Sequence, residues 1–466
     1  MKELLKDDKL FEIIKSNYGN IAQFISISPK NIEKPKLVVI NNLNSYESLN
    51  TKSLIMKLID SSRSGMVNIR SFSKVSAKGH KLHYGKEKKD IEEILQIIKA
   101  NASNNMYSII NENIDIKDGG VSGVVLGNII EFSPDDTPKC VEKDGICKFG
   151  KELGYMLLKK VYGFVPNINF TKDYRVEFSI HPNKEGVNKE HTILWEYEKF
   201  ENYNYNEKIS WPNNFSKFLG DKVFGLLIAD CLGFNIPYTT VISRRVAPFT
   251  FGKHTGSSEK WFRTCPLVKE PGKYITKDSW LDPFDTIASE EKKGNQKMNL
   301  ASVISQESVE AKFSGASIVS KNFKDDIIEG VIGKGDSFMV GLEPSQKLPK
   351  NILNKILEVH NKLRSHMDIL GNKLSIEWVC DGKKVWVVQL NQLKNDSTIT
   401  SQHTIVDKHA SSFIKFNTDE GLDALRLLIN EIKNTDVGIE LVGNIGITSH
   451  FGDILRQNNI SSYISN

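Results

Sequence analysis

At 466 residues and 52.6 kDa the chain is too long for one hydrophobic core and calls for roughly two to four domains. Its 39% hydrophobic and 26% charged residues exclude a disordered chain, and no apolar run approaches the about 18 residues of a membrane-spanning helix. The net charge of +5 is spread, with acids among the bases, and forms no basic stripe of the kind that binds nucleic acid.

The opening MKELLKDDKLFEIIKSNYG reads as an amphipathic helix rather than a signal peptide, and residues 1–35 are expected to be mostly helical. A strand is expected at Lys36–Asn41, a helix around Ser53–Ser62, and a strand at Gly65–Arg70 running into the polar loop RSFSKVSAKGHKLHYG. Helical spacing of Ile91, Ile94, Leu95, Ile97 and Ile98 marks Glu87–Ala100. Strands follow at Tyr107–Glu112 and Val121–Glu131, then a helix at Lys148–Tyr162 and paired strands at Arg175–His181 and His191–Glu198. SWPNN at 210–214 breaks the pattern, after which a helix, a strand and a loop begin again. Strands are expected at Ser302–Val309, Gly315–Ser320 and Asp326–Val331, a long helix at Lys350–Met367, and paired strands at Leu374–Cys380 and Lys384–Leu390. The lysine-rich segment 290–297 reads as a loop, and the polar link 394–404 precedes a last unit, 405–466. Cysteines 140, 147, 231, 265 and 380 are scattered, with no His/Cys pair after Cys140 and Cys147 to complete a zinc site; they point to reduced thiols and a cytoplasmic setting.

The sharpest chemical signal is SIEWVCDGKKVWVVQLNQ at 375–392. Asp381-Gly382 makes it a hairpin, which sets Glu377 and Gln389 on adjacent strands and one face. Two hard oxygen ligands there suit magnesium whose other positions are filled by phosphate oxygens; the plain alternative is a polar residue on a half-buried strand.

This hairpin resembles the metal-binding hairpin of the nucleotide-binding domain of pyruvate phosphate dikinase, phosphoenolpyruvate synthase and rifampin phosphotransferase. Upstream segments resemble that family in order: GDKVFGLLIADCLGFNIPYTTVIS (220–243), WFRTCP (261–266), VISQESV (303–309), FSGAS (313–317) and IIEGVIGKGDSFMVG (327–341). The resemblance implies Lys222 and Arg263 as phosphate ligands, Gln306 on an adenine-binding hinge, Glu329, Gly333 and Gly335 at the ligand, and Glu377 and Gln389 on magnesium. Ser375 and Asn391 depart from the family, each removing a charge from the phosphate end.

The first half echoes the second: Ser108–Val124 resembles Val303–Ala316, and Arg175–Glu196 resembles Ser375–Gln389. RSFSKVSAKG at 70–79 resembles the family's phosphate loop, which implies Arg70 as a ligand. Glu177 and Glu196 fall where the metal hairpin lies, as cation ligands or as surface acids of a decayed copy, and no lysine motif is visible before Lys36. GNIGITSHFGDILRQNNISSYI at 443–464 resembles the family's swivelling phosphohistidine domain, implying His450 as phosphoryl carrier, Thr448 on the phosphate and Ser449 as helix cap; Asn444-Ile445 and Phe451-Gly452 depart from its pattern.

The sequence thus implies an α+β, ATP-grasp-type chain, duplicated, with a small C-terminal swivelling-domain-like α/β unit: residues 1–209, an ATP-binding unit 210–398, and 405–466. ATP and Mg2+ are the implied cofactors. The leading reading is an ATP-dependent phosphotransferase working through His450 on an unknown small-molecule or protein acceptor, with no membrane or nucleic-acid partner. Two others stay open: an ATP-binding sensor, and an ATP-grasp ligase that makes an acyl phosphate.

Overall fold

The computed structural model describes residues 6–43, 45–73, 80–137, 145–199, 207–267, 276–293, 299–393 and 403–465. Cys140, most of the Arg70 loop (74–79), part of the lysine-rich segment (294–298) and most of the polar link (394–402) lie outside them. The chain divides into two compact units, 1–205 and 206–466.

Unit 1 runs α1 (Lys6–Lys15), β1 (Phe24–Ile27), β2 (Leu37–Val39), α2 (Thr51–Ser61), β3 (Val67–Phe72), β4 (Leu82–Lys86), α3 (Ile91–Ser103), β5 (Tyr107–Glu112), β6 (Val121–Leu126), β7 (Ile129–Pro134), β8 (Cys147–Gly150), α4 (Lys151–Tyr162), β9 (Tyr174–Glu185) and β10 (Glu190–Lys199). Two antiparallel sheets result, β2-β1-β5-β3-β4 and β10-β9-β6-β7-β8. The first is backed by α2 and α3 through Leu54, Leu58, Ile94 and Ile98, which meet Ile25, Ile69 and Ile110.

Unit 2 runs α5 (Asn214–Leu219), α6 (Asp221–Cys231), β11 (Thr239–Ser243), β12 (Phe249–Phe251), β13 (Lys260–Pro266), β14 (Thr276–Lys277), α7 (Pro283–Lys293), β15 (Leu300–Glu307), β16 (Phe313–Ser320), β17 (Ile327–Ile332), α8 (Asp336–Met339), α9 (Lys350–Arg364), α10 (Met367–Leu370), β18 (Lys373–Cys380) and β19 (Val385–Gln392). Its sheets are β12-β11-β15-β13-β14 and β17-β16-β18-β19, again antiparallel throughout. A third sheet closes the unit: β20 (Thr404–Val406), β21 (Ser412–Asn417), α11 (Gly421–Ile432), β22 (Val437–Val442), α12 (His450–Asn458) and β23 (Ser462–Ser465), in the order β20-β23-β22-β21. There β21, β22 and β23 run parallel, each joined to the next through a helix. Its core of Leu425, Ile439, Leu441, Phe451 and Leu455 includes Ile318 of β16, so the small sheet packs against the β16 sheet.

Three expectations change. The first 35 residues are not mostly helical: α1 stops at Lys15, and FISI, buried along its whole length, becomes a central strand. The expected strand Val121–Glu131 is two, because Gly127, with φ of 57°, turns the chain back on itself. The helix expected from Lys148 starts at Lys151, and Cys147–Gly150 forms an edge strand instead.

Asp326, at the mouth of β17, ties β16 to α9. Its carboxylate lies 2.8 Å from His360 Nδ1, accepts from Arg364 Nη2 at 2.6 Å, and accepts from the Ser320 N–H at 2.9 Å. Burial pushes this carboxyl up, but His360, Ser320 and Arg364 together pull it below its ordinary value. The folded state therefore favours the ionised form. Its stabilisation is full above the usual aspartate range and is lost as pH falls through the folded-state value. Replacing Asp326 by Ala leaves His360 and Arg364 without their acceptor and is expected to cost about 3–5 kcal/mol in urea unfolding at neutral pH, with a smaller difference in acid.

Candidate active site

The cleft of unit 2 lies between its first two sheets, an open space of about 470 Å³ including its solvent-filled mouth, lined by Trp261, Arg263, Gln306–Val309, Ser314, Lys334, Gly335, Asp336, Val379 and Val388. Strand alternation explains the two sides of β13: Phe262 enters the core with Val303, while Arg263 faces the cleft. The guanidinium donates through Nη1 to the Val388 carbonyl at 3.2 Å, and its Nε is buried with no hydrogen-bond partner. Val388 is the extra residue of a bulge: Glu377 faces Gln389 and Trp378 faces Val387. The bulge turns Val388 into the cleft.

Lys222 and Arg263 come together around Cys265. Burial raises that thiol, and the two cations, Lys222 the stronger, pull against it. Lys334 holds its ammonium 5.7 Å from the Trp261 ring centroid. A Cβ on Gly335 would lie 2.8 Å from Ser314 Oγ, so a side chain there would displace that hydroxyl.

The hinge segment reaches the cleft through its backbone. The Gln306 side chain turns inward and donates to Thr239 Oγ1 at 3.1 Å. Glu307 anchors the turn beyond it: Thr255 N–H donates to it at 2.9 Å, and His254 Nδ1 lies 2.8 Å away. Burial pushes the Glu307 carboxyl up, yet the Thr255 N–H and His254 hold it below its ordinary value. Thr255 also donates to the Ser308 carbonyl at 2.7 Å, and His254 stacks on Tyr238 with centroids 4.2 Å apart. Sequence reasoning missed His254, Thr255, Trp261 and Lys334 as parts of this site. The last two sit inside quoted segments, whereas nothing in the sequence signals His254 and Thr255.

Next to the cleft-lining Val379 and Val388, but not themselves among the lining residues, Glu377 faces Gln389 and Ser375 faces Asn391 across one ladder. Glu377 is part-exposed, and no ion pair engages it among the described residues. Among those residues no group of three or more His, Cys, Asp or Glu side chains could hold a metal ion, so a cation here would be held by Glu377, the Gln389 carbonyl oxygen and oxygens from a ligand. The donor set fits such an ion, and the unpartnered Arg263 Nε fits an anion beside it.

Glu329 stands in the same cross-strand row as Glu377, but its carboxylate accepts from Ile447 N–H at 3.1 Å and from Thr448 N–H and Oγ1 at 2.8 and 2.6 Å. The turn before α12 is thus occupied by a protein carboxylate. Ser449 holds the N-cap position by its backbone while its buried hydroxyl makes no cap bond, contrary to the capping expected of it. His450 begins α12 and is not among the residues lining the cleft.

Arg70 lies in unit 1, on β3. With it are Lys6, which pairs with Glu196 at 2.7 Å, and Arg175, which pairs with Glu177 at 2.9 Å. A lysine does therefore stand near this cluster, N-terminal to Lys36.

No family model matches the chain and no curated protein does. Solved structures do. D-alanine-D-alanine ligase from Helicobacter pylori is 12% identical over 41% of this chain and 57% of its own, with a TM-score of 0.25. D-alanine–D-alanine ligase from Bacillus anthracis complexed with ATP is 9% identical over 46% and 65%, TM-score 0.25. An ATP-grasp ligase associated with ribosomally made peptides, from Chryseobacterium gregarium, in complex with ADP and a leader and core peptide, is 14% identical over 39% and 54%, TM-score 0.23. Each match takes in less than two thirds of the neighbour.

The fold is α+β, built mainly of antiparallel sheets. The family assignment made from the sequence is corrected: these neighbours are ligases, a different branch from the dikinases and rifampin phosphotransferase. The phosphohistidine relay falls with it, and the physical reason is local. The N–H groups and Thr448 hydroxyl that were to hold a phosphate beside His450 hold Glu329. No helix among the described residues is long and apolar enough to cross a membrane.

Replacing Glu329 by Ala strips three donors of their acceptor. Hydrogen exchange is expected to show faster exchange at the Ile447 and Thr448 amides, with a loss of about 1–3 kcal/mol in unfolding free energy.

Proposed function

We infer that unit 2 is an ATP-dependent ligase that activates a carboxylate as an acyl phosphate. The observation that carries this is one cleft in which a guanidinium with a buried, unpartnered N–H faces the strand that bears Gln389 opposite Glu377. Lys222 and Arg263 would neutralise phosphate charge, the backbone of residues 306–309 would take the base, and Trp261 and Lys334 would border it. A magnesium ion held by Glu377 and Gln389 would supply charge neutralisation at the phosphates.

In the first step an oxygen of the acceptor carboxylate attacks the γ-phosphorus of ATP; the P–O bond to ADP breaks and an acyl phosphate forms. In the second an amine attacks the acyl carbon, phosphate leaves with the original carboxylate oxygen, and the amine proton passes to solvent or a base. Arg263 and Lys222 contribute by positioning and by holding charge as it develops. The acceptor is a carboxylate on a small molecule or a peptide.

Incubation with Mg–ATP, a panel of amino acids and short peptides, and hydroxylamine as the amine tests the reading. ADP, phosphate and hydroxamate are expected in equal amounts, and only when a carboxylate is present. Nucleotide bound without any carboxylate-dependent ADP release would overturn the ligase and leave a nucleotide sensor. Arg263→Ala is expected to weaken nucleotide binding about tenfold to a hundredfold by calorimetry, the worth of a charged hydrogen bond.

A further inference from the structure

Unit 1 repeats the unit 2 cleft strand for strand. The order β2-β1-β5-β3-β4 matches β12-β11-β15-β13-β14, and β10-β9-β6-β7 matches β19-β18-β16-β17. Register agrees as well as order. Arg70 faces Ile109 as Arg263 faces Ile304, on strands that take the same place in their sheets. Glu177 faces Glu196 with a bulge at Trp195, as Glu377 faces Gln389 with a bulge at Val388. Gly123 and Gly315 occupy the same position, and a Cβ on either would come within 2.1 Å of the neighbouring strand's carbonyl oxygen. Lys6 lies nine positions before Lys15, the last residue of the helix before β1, as Lys222 lies nine positions before Cys231, the last residue of the helix before β11.

What differs is where the charges go. In unit 2 Arg263 keeps a buried N–H without a partner, and Glu377 has no ion pair among the described residues. In unit 1 Lys6 closes on Glu196 and Arg175 on Glu177, and Lys148 stands within ion-pair distance of Glu131, whose buried oxygens make no hydrogen bond. Glu177 and Glu131 are 3% and 1% exposed, too deep to meet a ligand without breaking those pairs. Each partner corresponds to a change in sequence. Arg175 stands where unit 2 has Ser375, Glu196 stands where it has Gln389, and Lys148 comes from β8, a strand with no counterpart in the β16 sheet. Burial holds the Lys6 ammonium below its ordinary value against the pull of Glu196, and Arg70 adds to the depression, which sets all three groups within electrostatic reach.

We propose that unit 1 is a second copy of the cleft in which three internal ion pairs stand in for nucleotide and cation, so that it folds ligand-free and the chain binds a single nucleotide, in unit 2. The stoichiometry rests on the ligase reading of unit 2; the ion-pair substitution stands on unit 1 alone.

Calorimetry on the full chain with magnesium and a non-hydrolysable ATP analogue is expected to give one site per chain, weakened about tenfold to a hundredfold in Arg263→Ala and unchanged in Arg70→Ala. Two sites, or binding lost in Arg70→Ala, would overturn the proposal. Should no analogue bind at all, the ligase reading fails, and a stability cycle still decides the rest. Lys6→Met and Glu196→Met are each expected to lower the melting temperature, and the double variant to recover most of the loss, because the pair is replaced rather than broken. Additive losses in the double variant would mean that the charges act separately, and would overturn the substitution.

Discussion

The ladder between β16 and β18 is the constraint on which unit 2 depends. Eight residue pairs run without a register break, from Phe313 against Cys380 to Ser320 against Lys373. Trp378 enforces that register: its ring lies where side chains on Gly315 and Gly330 would be, and its indole N–H donates to Ser317 Oγ at 3.0 Å. Side chains alternate along a strand, so a slip of one residue would turn Glu377 into the helix-backed core and Trp378 into the cleft. The chemistry of the site therefore hangs on the packing of a tryptophan that never reaches it.

Around this ladder unit 2 leaves the buried Arg263 Nε without a hydrogen-bond partner and pairs its carboxylates elsewhere. Asp326 with His360 and Arg364, and Glu307 with His254 and Thr255, give their carboxylates partners on the far side of the sheet and at the hinge. Arg263 is under-satisfied. A buried N–H without an acceptor costs stability, and a fold keeps such a group where binding repays the cost. Glu329 shows the converse: a carboxylate in the same row is spent on docking the C-terminal sheet, and the turn before His450 is thereby filled from within.

The two units read together separate fold from use. Strand order, register, bulge and the position of a single glycine recur, while the residues at two positions of the hairpin, Arg175 against Ser375 and Glu196 against Gln389, do not. A hydrogen-bonded ladder tolerates those exchanges because both residues point off the sheet, whereas the charge balance of the cleft does not.

Much of this was legible in the sequence. The Asp-Gly turn made 375–392 a hairpin with Glu377 and Gln389 on adjacent strands, but the bulge at Val388 decides that they face each other, since an unbroken ladder from Cys380 against Val385 would set Glu377 against Val388. Lys222 and Arg263, singled out by their segments, come together beside Cys265, and the echo between Arg175–Glu196 and Ser375–Gln389 aligns strand on strand. Other features were not legible, because they are made by residues distant in sequence. The segment FISI reads equally as helix or strand until β5 and β2 flank it. The same local pattern, Gly-x-Thr-Ser-His at a helix start, marks a phosphate site or a docking turn according to what faces it, and Glu329, 119 residues away from Thr448, faces it. Pairing of Lys6 with Glu196, 190 positions apart, likewise exists only once the sheet is closed. Local propensity and periodicity chose the elements and their faces; the long-range electrostatics of the closed sheets decided which charges pair within the chain.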